Sequence, residues 1–142
     1  MKIGFISKRG AVRALLAEAI TRELFKKMGI KAEVYSAGLE PEKNTPKEVL
    51  EVLKEKGYSI KSLYPKPLRK IPYKSLDVLV ILDNEIKERC PFEVYHKRRE
   101  NLHIEEPKSL TLTELRKLRD KIEEELKKLF GVNKEVKKKV SK

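Results

Sequence analysis

The sequence predicts an α/β protein with a parallel sheet flanked by helices, on three observations. Short apolar runs alternate with longer stretches whose apolar residues recur every three or four positions. The run Val78-Leu79-Val80-Ile81 is apolar throughout, as a strand covered on both faces must be. The first run breaks at Ser7-Lys8-Arg9-Gly10 and leads directly into a helical pattern. Strands that alternate with helices imply right-handed crossovers, hence parallel pairing.

Lys2–Ile6 is the first strand. From Val12, apolar residues at 12, 15, 16, 19, 20, 24 and 28 mark one helix face, and Gly29 closes that helix. Ala32–Ser36 reads as the second strand, followed by a turn at Ala37-Gly38. Thr45-Pro46 has the form of an N-cap and first helical position, with Glu48 in the first turn of a helix that stops at Gly57. Pro65, Pro67 and Pro72 make Leu63–Tyr73 a loop with at most one short turn. Leu76–Leu82 is the clearest strand. Cys90-Pro91 ends any short helix before it, and Asn101–Ile104 is the candidate for a fourth strand. The last helix runs from about Thr113 to Phe130, with Leu115, Leu118, Ile122, Leu126 and Leu129 on one face.

The 142 residues fit one domain, read as residues 1–131 followed by a basic tail, 132–142, read as disordered. No apolar run reaches a membrane span, and Met1–Ile6 is too short for the core of a signal peptide. With its single cysteine, Cys90, the chain reads as cytoplasmic. Lys and Arg number 34 against 22 Asp and Glu, a formal charge of +12 that favours anionic partners. Five lysines fall between Lys134 and Lys142, and Lys97-Arg98-Arg99 forms a second cluster. No metal or cofactor is expected, since His96 and His103 lack companions at ligand spacing.

A strand, a tight loop and a helix N-terminus gather backbone N–H groups around one point, which is an anion site. Ser7, Lys8, Arg9, Gly10, Ala11, Val12 and Arg13 form that loop. Arg13 is placed to close it with a bidentate contact, and the Ser7 hydroxyl faces the same point.

Ser7, five intervening residues and Arg13, then Ala17-Glu18-Ala19, resemble the phosphate loop of the low-molecular-weight tyrosine phosphatases. Ser36-Ala37-Gly38 is similar to an element that follows the second strand in that family. Cys90-Pro91, Arg99-Glu100 and Glu105-Glu106-Pro107 resemble its thioredoxin-coupled arsenate reductases. The resemblance spans Met1 to about Phe130 and implies a four-stranded parallel sheet with the active loop after strand one. It also implies nucleophilic attack from position 7, oxyanion binding by Arg13 and loop amides, and Glu106 as the general acid. Cys90 would be one member of a redox relay. Glu18 is read as a helix residue outside the site.

The chain departs from that family where thiol chemistry is concerned. Position 7 is serine, whose hydroxyl the surroundings that ionise a thiol cannot ionise near neutral pH. Gly10 stands where asparagine is usual, Ala14 where a hydroxyl residue follows the arginine, and Arg9 where a small residue is usual. Glu106 replaces aspartate, and Asp83 occupies the place of a resolving cysteine. The expected function is binding of a phosphate, sulfate or arsenate oxyanion, or of a phosphorylated protein such as one bearing phosphotyrosine, with thiol catalysis lost or impaired. Two alternatives stay open. One is an active tyrosine phosphatase whose native residue 7 is cysteine; the other is nucleic-acid or acidic-partner binding through the basic tail.

Overall fold

The computed structural model describes residues 1–83 and 96–131. Cys90, Pro91 and the basic tail, on which expectations rested above, lie outside the described residues. Four strands, β1 (Lys2–Ser7), β2 (Glu33–Gly38), β3 (Val78–Ile81) and β4 (Arg98–Asn101), form one parallel sheet in the order β2-β1-β3-β4. Among the described residues the α-helices are α1 (Arg13–Met28), α2 (Lys47–Glu55) and α3 (Leu112–Phe130). Among the described residues no helix is long and apolar enough to cross a membrane.

Side chains alternate across the sheet. Ile3, Phe5, Val34, Val78 and Val80 point to one face and pack with Leu15, Leu16 and Ile20 of α1, Val49, Val52 and Leu53 of α2, and Leu115, Ile122 and Leu126 of α3. Ile6, Ala37, Leu79 and Ile81 face the other way, against Ile71, Tyr73 and Leu76. Both faces of the central strands are thereby dry, which is why their sequences lack polar alternation.

Three local expectations are corrected. The fourth strand is Arg98–Asn101, not 101–104: Val78 pairs with Arg98 and Ile81 with Asn101. Its half-exposed edge position tolerates the charged sequence RREN, which carries no apolar signal. In α2, Pro46 itself occupies the N-cap with extended backbone, and the Thr45 hydroxyl donates instead to the Leu63 carbonyl at 3.0 Å. The second strand runs on to Gly38, so Ala37-Gly38, read from the sequence as a turn, lies within it, Ala37 level with Ile6 and Gly38 with Ser7.

Register decides where the chain can gather functional groups. Ser7 is level with Gly38, and Ile6 with Ile81. Ser7, Gly38, Asp83 and the segment after Asn101 therefore all emerge at the carboxyl edge of the sheet, where open parallel sheets bind ligands.

Candidate oxyanion site

The loop from Ser7 to Arg13 is fixed from outside by its carbonyls. Leu39 N–H donates to the Ser7 carbonyl (3.4 Å), Glu40 N–H to that of Lys8 (2.8 Å) and Glu42 N–H to that of Arg9 (3.1 Å). Inside the loop, Gly10 N–H donates to Ser7 Oγ at 3.0 Å. The hydroxyl thus points into the loop, as expected. The bond it receives comes from a donor, which does nothing to take its proton.

Two glycines make this loop possible. Gly10 has φ +63, and a Cβ there would lie 2.7 Å from the Gly38 nitrogen. A Cβ on Gly38 would lie 2.5 Å from the Arg9 carbonyl carbon and 2.6 Å from the Gly10 nitrogen. The two backbones cross with no room for a side chain between them. Gly38 N–H is in turn held by the Lys66 carbonyl at 2.9 Å.

The loop ends on the N-terminus of α1. Val12 provides no side-chain cap, and the first turn holds no acidic residue. The positive end of the helix dipole is therefore not answered by a carboxylate of the first turn.

Arg13 is 5 % exposed. Its Nη1 donates to the Ile104 carbonyl (3.0 Å) and its Nη2 to Asp83 Oδ2 (3.1 Å). Sequence reasoning marked Asp83 only as a missing cysteine; its partnership with an arginine 70 positions away is visible only once β1 and β3 are side by side. The two bonds fix the plane of the guanidinium while engaging two of its five N–H donors.

Ser7, Arg9, Gly10, Ala11, Val12 and Arg13 line a cleft of about 780 Å³ together with Glu42, Lys43, Glu106 and Lys108. Glu106 is exposed and shares this cleft with Ser7, so the structure brings the expected acid and nucleophile positions together. Arg9 stands at the rim, paired with Glu42 at 3.0 Å. Lys8 contributes backbone to the loop but does not line the cleft. His96 is buried, its Nε2 2.9 Å from the Tyr73 carbonyl, a structural place as expected.

A buried cluster supports the loop from below. Glu18, 1 % exposed, accepts from Ser36 Oγ at 2.5 Å and pairs with Arg22; Lys66 Nζ lies 3.9 Å from it and 3.4 Å from the Ser36 carbonyl. Burial pushes the Glu18 carboxyl up from its ordinary 4.5, against the lowering pull of Ser36, Arg22 and Lys66. Burial likewise pushes the Lys66 ammonium down, against the pull of Glu18. Glu18 does belong to a helix, as read from sequence, yet its partner is the Ser36 of the element that buttresses the loop.

Comparison with known proteins gives a consistent picture. Residues 2–142 match the family described as low molecular weight phosphotyrosine protein phosphatase. Arsenate reductase 2 of Staphylococcus saprophyticus is 27 % identical over 128 residues, 90 % of this chain and 95 % of that protein. Among solved structures, the low molecular weight protein tyrosine phosphatase from T. tengcongensis superposes with a TM-score of 0.81 at 22 % identity, covering 92 % of this chain and 98 % of that one. The arginine phosphatase YwlE, in a cysteine-to-serine mutant whose active-site serine is phosphorylated, gives 0.77 at 22 % identity, covering 91 % and 93 %.

Proposed function

The chain belongs to the low molecular weight phosphotyrosine protein phosphatase family, and from that membership we propose that it binds a phosphate-type oxyanion in the loop Ser7–Arg13 while thiol catalysis is lost or impaired. The observation that carries the reading is the loop itself. Its carbonyls are drawn outward by residues 39–42, its helix N-terminus is uncapped, and a buried arginine is oriented on its floor. Such a site recognises a tetrahedral dianion through loop amides and the remaining guanidinium donors. Arsenate and sulfate share that shape and charge. A neighbouring fold with serine as its active-site residue holds a phosphoryl group there, which supports the view that serine is compatible with occupancy.

Impaired catalysis follows from the nucleophile. Ser7 Oγ receives a hydrogen bond from Gly10 N–H and keeps its own proton at neutral pH, whereas a thiol in the same surroundings would ionise. Glu106 lines the same cleft, which supports its reading as the acid for a leaving oxygen, a role that has value only when a nucleophile is present.

Thermal unfolding against phosphate, sulfate and arsenate tests the site. Phosphate at about 100 times its dissociation constant should stabilise the fold by roughly 2.7 kcal/mol. That increment should vanish in Arg13→Ala; an equal shift in both proteins would remove the loop from consideration. With an aryl phosphate, the chain should show no sustained turnover, and Ser7→Cys should restore it. Steady turnover by the serine form would overturn the loss of catalysis.

A further inference from the structure

We propose that Arg9 is a second anion-binding arginine, held aside by Glu42, and that it favours ligands carrying a second anionic group next to the phosphate, of the diphosphate kind. The inference rests on the oxyanion site proposed above and extends it to the ligand class.

Arg9 lies inside the loop, between Ser7 and Arg13, lines the cleft, and has a half-exposed side chain. The guanidinium Nη1 sits 3.0 Å from Glu42 Oε1, with the two side chains 52 % and 46 % exposed. Their backbones are locked together, since Glu42 N–H donates to the Arg9 carbonyl at 3.1 Å. The side chains therefore stand in solvent on fixed bases, free to exchange partners without moving the loop. An ion pair this exposed contributes little, so opening it costs little.

A ligand with adjacent anionic groups offers Arg9 more charge than Glu42 does, and oxygens spaced for its planar fork. The two arginines divide the work by burial. Arg13, 5 % exposed and bound to Asp83 and Ile104, stays at the floor. Arg9 meets whatever projects outward from the first anionic group, where Lys43 and Lys108 add positive charge and Glu106 opposes it.

The test is calorimetric titration of the full chain with inorganic phosphate and with pyrophosphate at constant ionic strength. Pyrophosphate should bind more tightly than phosphate. Arg9→Ala should weaken pyrophosphate about tenfold more than it weakens phosphate, the loss expected for hydrogen bonds to a charged group. Glu42→Gln, which removes the competitor, should tighten pyrophosphate about two- to fivefold. Both residues are exposed, so neither substitution endangers the fold. If phosphate binds but pyrophosphate shows no advantage, or keeps it in Arg9→Ala, the role of Arg9 is refuted while the loop site stands. An unchanged pyrophosphate affinity in Glu42→Gln refutes the restraint of Arg9 by Glu42. If neither anion binds the unaltered protein, both readings fall.

Discussion

Residue by residue, the loop rests on charges placed where water cannot freely reach them. Arg13 and Asp83 neutralise each other across the carboxyl edge of the sheet, and Glu18 is held by Ser36, Arg22 and Lys66 beneath it. Glu18 gives this arrangement a pH signature. Its folded pKa is raised, so between 4.5 and that raised value the folded state binds more protons than the unfolded chain. Stability contributed by the protonated form is thus complete below 4.5 and is lost as pH rises through the folded pKa. Urea unfolding of the parent and of Glu18→Gln should show the parent losing ground to the variant from pH 4.5 toward neutrality. Parallel pH profiles would show that Glu18 does not titrate abnormally. Of these partnerships, only Glu18 with Arg22, four residues on along α1, is written in local sequence. Glu18 and Ser36 stand 18 positions apart, and Arg13 and Asp83 stand 70 apart. Both pairs depend on parallel pairing that brings distant segments level.

At the level of elements, the strands and helices with periodic apolar faces were legible because their own packing writes the pattern. α3 buries one face, α1 is buried all round from Arg13 to Thr21 and on one face beyond, and β3 buries two faces. β4 was misplaced by about three residues because its identity lies in its pairing with β3, and the sequence RREN carries no apolar run. The loop was legible as a motif, but its buttress was not: only three dimensions show that Gly38 must be glycine because Gly10 crosses it. Gly38→Ala should therefore destabilise the fold by about 1–3 kcal/mol through a forced backbone shift. It should also abolish the phosphate-induced rise in melting temperature. Thr111→Ala serves as the contrast. Its hydroxyl accepts from Glu114 N–H at the start of α3, so its loss should cost about 1 kcal/mol and leave phosphate binding intact.

For the whole molecule, the formal charge of +12 sets a positive field into which anions are drawn. Raising salt from about 0.05 to 0.5 M should weaken phosphate binding several-fold as that field is screened. Titration at the two salt levels measures it; a constant affinity would assign binding to the loop's immediate contacts alone. The position of β1 has a further effect. It lies between β2 and β3, and its loop is sewn to residues 39–42 on one side and runs into α1 on the other. The cradle cannot fray without parting the middle of the sheet. If the loop is the proposed anion site, an arriving anion would find the shape it will leave behind: little chain entropy would be surrendered on capture, and no slow rearrangement would stand between encounter and complex.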